Sequence, residues 1–251
     1  MRTAECKLKS VDKSMADQNQ KVKGVVDIVF LIDATASMKP CIEALKQNIS
    51  LFVDSLTVKG PNNENPIKHW RGKAVGYRDT KVDKVWFVDN PFVEDATHLK
   101  AQLAGLRPEG GGDEPESLLE AIYKVATWDQ TAKGAPADPG KWRYRSDAAR
   151  IVVAFTDASY HPKMTEPDGG TVGDVINVIV SNRILLNLYA PEMACHDELS
   201  KADKSDYFAI PLDGKNPQEA LEEFTRDQAN FRKTLEALAK SITASAGVAI
   251  L

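Results

Sequence analysis

Residues 33–37 read Asp-Ala-Thr-Ala-Ser, three oxygen-bearing side chains alternating with two alanines. In an extended segment, residues two apart point the same way. Asp33, Thr35 and Ser37 would then share one side, with only methyl groups between them. Asp157 follows the apolar run IVVAF and Thr156, and Asp113 follows the glycine triplet 110–112. Carboxylate and hydroxyl oxygens without His or thiolate suit a hard divalent cation, Mg²⁺ first and Mn²⁺ or Ca²⁺ next. Three carboxylates on one rim repel each other unless a cation sits among them. Each acid also has a plainer role: Asp33 as a helix cap or loop residue, Asp113 or Glu114 as the N-cap of the next helix, Asp157 as a turn residue. Their shared position at the ends of predicted elements favours the metal site.

The elements that must position these residues alternate in type. Residues 25–32 (VVDIVFLI) are almost continuously apolar and β-branched, as in a parallel strand buried on both faces. Ile42, Leu45, Ile49, Phe52 and Leu56 then recur at helical spacing, with Pro40 near the helix start. Strands are predicted at 71–77, 85–88, 151–155, 184–189 and 207–210. Helices are predicted at 96–106, from the string EGGGDEPES through Leu118, Ile122 and Val125, at 172–180 and at 196–203. A last helix starts on the capping-box signature Asn216-Pro217-Gln218-Glu219 and runs to about residue 241. This alternation predicts an α/β, Rossmann-like fold: a mainly parallel central sheet with one short antiparallel edge strand and helices on both faces. Function in such a sheet collects beyond the carboxyl ends of the strands, where strand order reverses.

The chain has 251 residues, a formal net charge of −4 and 43 % hydrophobic residues, enough for a substantial core. The near-balanced charge gives no footprint for nucleic acid or an anionic membrane, and no apolar run is long enough to span a bilayer. The opening MRTAECKLKSVDKSMADQNQ lacks a signal-peptide apolar region. Cys6, Cys41 and Cys195 are few and far apart, which suits a reducing compartment. The expectation is a cytoplasmic protein with a flexible tail over 1–23 and a single domain over 24–251.

The string DIVFLIDATASMKPCIEALKQNI resembles the opening of a von Willebrand factor A-type (vWA) domain. The metal-ion-dependent adhesion site (MIDAS) of that family uses Asp-x-Ser/Thr-x-Ser, which Asp33, Thr35 and Ser37 match position by position. FTDASYH resembles the later strand with its metal-site aspartate, here Asp157. GYRD, GGGDEPES and DASYH are similar to the A-domains of the α-kinase and hemicentin type. The resemblance covers roughly 24–244. It implies a divalent ion held by Thr35 and Ser37 directly, by Asp33 and Asp157 directly or through water, and by Asp113 at the place of the family's usual threonine. It further implies a non-catalytic protein-binding module whose partner engages the ion, often through an acidic residue. Intracellular members commonly assemble with ATPases, kinases or phosphatases.

Two other functions compete. A haloacid-dehalogenase-like phosphohydrolase also places an aspartate after a strand, but it needs a second acid two residues on, where this chain has Thr35. A scaffold with a purely structural metal fits the same residues. GGGDEPES lacks the Gly-Lys-Ser/Thr of a phosphate loop, and no GxSxG elbow is present. Among lesser candidates, His161 is placed on the same rim, either facing a partner or as a loop residue. Arg78 and Asp79 pair with each other or support the site. Cys195-His196 lacks the four spaced ligands of a zinc site, and Trp128 and Trp142 read as core packing.

Overall fold

The structure, a computed structural model, describes residues 24–59, 65–112 and 114–247. The expected tail over 1–23, with Cys6, and the candidate ligand Asp113 lie outside the described residues. Strand β1 (Val25–Asp33) leads through a 3₁₀ turn (Ala36–Met38) into α1 (Lys39–Leu56). Then come β2 (His69–Tyr77), β3 (Phe87–Val88), α2 (Ala96–Gly105), α3 (Leu118–Ala126), β4 (Ala149–Phe155) and α4 (Val172–Ser181). The chain continues through β5 (Ile184–Pro191), α5 (Ala194–Leu199), β6 (Asp206–Ile210), α6 (Pro217–Arg226) and α7 (Gln228–Gly247).

The six strands form one sheet in the order β3-β2-β1-β4-β5-β6. All neighbours are parallel except β3, which pairs antiparallel with the end of β2 through Gly76–Val88 and Tyr77–Phe87. This is the α/β, Rossmann-like arrangement expected from the alternating pattern. β1 shows why its sequence is apolar throughout. Val26, Ile28, Phe30 and Ile32 point into the layer that holds Leu45, Ile49 and Phe52 of α1 and Phe231 and Leu235 of α7. Val29 and Leu31 point into the opposite layer, with Ile122 and Val125 of α3 and Val175 and Ile179 of α4. Each buried side chain of this kind contributes about 1.5–3 kcal/mol. The Phe30 and Phe52 rings meet edge-on, with centroids 5.3 Å apart, and tie α1 to the centre of the sheet.

Two helix expectations need correction. The long final helix is two helices, broken at Asp227, where ψ is 81°. Asp227 Oδ1 accepts from the Asn230 backbone N–H and so starts α7. Phe224 and Phe231 still meet across the break, with ring centroids 5.7 Å apart. The apolar stripe is therefore continuous in sequence while the backbone is not. The anticipated capping box is present: Asn216 accepts from the Glu219 N–H and Glu219 accepts from the Asn216 N–H. α5 is earlier and shorter than the expected 196–203, because after Ser200 the backbone tightens from helical bonds to three-residue turns, Lys201 N–H to Glu198 O and Ala202 N–H to Leu199 O.

Candidate metal centre

The strand order reverses between β1 and β4, the place where open α/β sheets bind ligands. In register, Ile32 faces Phe155, so the next residues, Asp33 and Thr156, emerge side by side. Asp33 is fully buried. Its Oδ1 accepts from the Thr35 backbone N–H at 3.0 Å and from the Thr35 hydroxyl at 2.7 Å, and its Oδ2 accepts from the Thr156 hydroxyl at 2.8 Å. The 33–37 segment does not stay extended, as its alternation suggested. Thr35 is extended, and the 3₁₀ turn that follows brings Ser37 Oγ back to 3.2 Å from Thr35 Oγ1. The side chains converge through a turn held on Asp33 rather than through a continued strand.

Asp157 follows Thr156, whose hydroxyl accepts from the Ala158 N–H at 3.1 Å and shapes the turn. The Asp157 side chain is buried, and its Oδ2 has no hydrogen-bond partner. Thr35, Ser37 and Asp157 line a pocket of about 210 Å³, together with Gly110, Gly111, Glu114 and Glu116. Asp33 lies beneath, behind the two hydroxyls. Glu114 and Glu116 do not cap the helix. α3 starts at Leu118 with Ser117 in the N-cap position, which corrects the reading of Glu114 as a cap. Glu116 is instead clamped to the loop after β4: its N–H donates to Ser159 O and its carbonyl accepts from the His161 N–H.

Burial and mutual repulsion dominate the electrostatics. Burial, then the Asp157 charge, pushes the Asp33 carboxyl up to about 7, against the lowering effect of its threonine hydrogen bonds. Burial, then Asp33, Asp79, Asp83 and Asp157, pushes Glu116 up to about 8. Burial also raises Asp157, with the Ser37 hydroxyl partly offsetting it. Carboxylates in this condition take up either protons or a cation. Among the described residues, no three His, Cys, Asp or Glu side chains form a ready-made metal cluster. The convergent set is mixed, with carboxylates and hydroxyls together. Unpartnered oxygens on Asp157 and Glu116, two hydroxyls 3.2 Å apart and a glycine-walled pocket fit an oxygen-ligated divalent ion.

The other sequence candidates are accounted for. His161 is on the rim, with Nε2 3.1 Å from Asp79 Oδ1 and Nδ1 3.1 Å from Lys81 Nζ. Arg78 and Asp79 do not pair with each other. Arg78 holds the carbonyls of Ala34, Val85 and Arg107 and reaches Glu109, while Asp79 takes His161, the Lys81 N–H and the Ser117 hydroxyl. His196 is buried with Nδ1 3.3 Å from Pro191 O. Trp142 is fully buried, its ring centroid 6.1 Å from that of Trp128. Sequence reasoning missed Glu116 and Thr156. Both stood in the strings GGGDEPES and FTDASYH, but only the pairing of the two loops shows that they face the site.

No protein-family model matches the chain. It is 23 % identical over 195 residues to the alpha-protein kinase vwkA of Dictyostelium discoideum, in an alignment covering 70 % of this chain and 28 % of that protein. Among solved structures, proximal thread matrix protein 1 from the mussel byssus superposes with a TM-score of 0.48 at 11 % identity, covering 85 % of this chain and 46 % of that one. The pilus adhesin SpaC from Lactobacillus rhamnosus GG gives a TM-score of 0.47 at 12 % identity, covering 87 % of this chain and 31 % of that one. Among the described residues, no helix is long and apolar enough to cross a membrane.

Proposed function

We propose that this chain is a vWA-type module that binds a partner protein through a divalent ion, Mg²⁺ by preference. The observation that carries the reading is the convergence of Asp33, Thr35, Ser37 and Asp157 where β1 and β4 part company. Thr35, Ser37 and Asp157 would hold the ion, with Asp33 behind them. When bound, the ion supplies a positive charge and a coordination position open to an oxygen of the partner, an Asp or Glu side chain above all. Asp33 fixes the Thr35 hydroxyl by accepting its hydrogen bond, which leaves the Thr35 oxygen to act as an acceptor beside Ser37 and the pocket. Thr156 fixes Asp33 in turn.

The role is binding rather than catalysis. Thr35 occupies the place where a phosphohydrolase of the aspartate-nucleophile type needs its acid, and its hydroxyl is already committed to Asp33. The setting proposed is a multi-component assembly containing an ATPase, kinase or phosphatase, and the likeness to an alpha-protein kinase agrees with it. The test is capture of partners by tagged protein in Mg²⁺, in chelator, and by Asp33→Ala in Mg²⁺. A partner held only by the wild type in Mg²⁺ is the expected result. A partner held equally in all three arms would leave the ion a structural role.

A further inference from the structure

We propose that a second pocket, between Trp86 and α3 and separate from the metal centre, takes an arginine side chain of a partner protein. The pocket, of about 220 Å³, is lined by Trp86, Tyr123 and Pro167 together with two acids, Glu120 and Glu166. Glu120 is the anchor. It is only 1 % exposed, and its Oε2 has no hydrogen-bond partner. Its Oε1 accepts from the Thr165 N–H at 2.8 Å, which fastens the 165–167 loop to α3. Burial raises this carboxyl above its usual range, and the Thr165 bond offsets the rise only in part. Trp86 is held from the other side, where its carbonyl accepts from the Arg78 N–H at 2.7 Å. The walls thus belong to three segments that are fixed without a partner.

Charge and aromatic surface select the occupant. Neither Glu120 nor Glu166 makes an ion pair among the described residues. Lys124 stands four positions after Glu120, the spacing of a helical ion pair. Its Nζ lies instead over the rings of Trp86 and Phe87, 5.3 and 5.0 Å from their centroids. The aromatic wall therefore already holds a cation while the buried carboxylate goes without one. A guanidinium answers both features: its face stacks on an aromatic ring and its edge donates to carboxylates as a fork. It is also more weakly hydrated than an ammonium, so it enters a half-buried pocket at lower cost. An acidic side chain of a partner is repelled here, so this contact is distinct from the one proposed at the ion.

The probe is the capped tripeptide acetyl-Gly-Arg-Gly-amide, titrated into the full chain in chelator. Binding is followed by the indole N–H resonance of Trp86, assigned with Trp86→Phe. Peptides with lysine or with the uncharged isostere citrulline in place of arginine are titrated in parallel. Glu120→Gln, Glu166→Gln and Asp157→Asn are compared with the wild type, each checked for native circular dichroism. The arginine peptide should shift the Trp86 signal saturably. Citrulline in the peptide and Glu120→Gln in the protein each remove one side of the charged pair, and each should weaken binding about 10-fold or more. Glu166→Gln, at the exposed rim, should weaken it less, and lysine should bind more weakly than arginine. Asp157→Asn should bind the peptide as the wild type does. No saturable shift of Trp86 overturns the proposal, and so does equal binding by citrulline, by lysine or in Glu120→Gln. A shift confined to the amides of Gly110 and Gly111, and lost in Asp157→Asn, places the arginine in the acidic metal pocket and overturns it too. The chelator keeps the ion out of every arm, so the reading of the metal centre stands or falls separately.

Discussion

The Thr156 hydroxyl donates to Asp33 Oδ2 over 2.8 Å, joining the ends of β1 and β4 at the point where the sheet changes direction. This bond and the two that Asp33 Oδ1 accepts from Thr35 leave a buried carboxylate fully engaged and unable to turn away from the pocket. The floor of the proposed metal centre is therefore rigid, while Asp157 and Glu116 keep an unpartnered oxygen each above it.

Saturating Mg²⁺ should raise the melting temperature. A ligand at a hundred times its Kd stabilises the folded state by about 2.7 kcal/mol, and each kcal/mol moves a domain of this size by about 2–4 °C. A rise of about 5–10 °C is expected by calorimetry, reversed by chelator and absent in Asp157→Asn.

In chelator, stability should increase as pH falls through the neutral range. A carboxyl with a higher pKa folded than unfolded binds more protons when folded, so acid favours folding between the two values. For Asp33 that window runs from about 7 down to 3.8, and for Glu116 from about 8 down to 4.5. The melting temperature of metal-free protein should climb between these limits on acidification. The double variant Asp33→Asn/Glu116→Gln should flatten the dependence. In Mg²⁺ the trend should invert, because protons then compete with the ion.

Gly111→Ala should damage the site and the fold together. Its φ of +73° is strained for alanine, by about 1–2 kcal/mol. The added methyl also meets Thr35 Cγ2 at 2.8 Å. Thermal unfolding should show the loss of stability, and Mg²⁺ titration should show weaker binding than in the wild type.

Asp27→Ala should destabilise the chain without touching the metal. Asp27 is buried at the start of β1, with Arg71 donating to both of its oxygens at 2.8 and 2.7 Å, the Arg143 backbone N–H donating at 2.8 Å and the Arg143 guanidinium forming an ion pair at 3.1 Å. Removing one partner of a buried ion pair costs about 3–5 kcal/mol, so the melting temperature should fall by about 10 °C. The Mg²⁺-induced increment should remain.

The fold was legible where burial writes itself into composition. β1 is apolar at nearly every position because it is covered on both sides, and β4 is apolar for the same reason. The positions of Asp33 and Asp157 at the sheet edge were legible because one ends such a strand and the other lies two residues past one. The break at Asp227 was not, since Phe224 and Phe231 keep the apolar stripe unbroken while only the backbone turns. Glu116 was not singled out either. The string DEPES offers several acids, and what turns this one inward is its backbone pairing with Ser159 and His161, more than forty positions away. A pairing between two loops leaves no periodicity to read.

The most direct test of the metal centre is calorimetric titration of Mg²⁺ into the full chain and into Asp157→Asn. The account predicts a single saturable site in the wild type that is lost, or weakened at least about 10-fold, in the variant. Equal binding by both proteins, or none by the wild type, would contradict it.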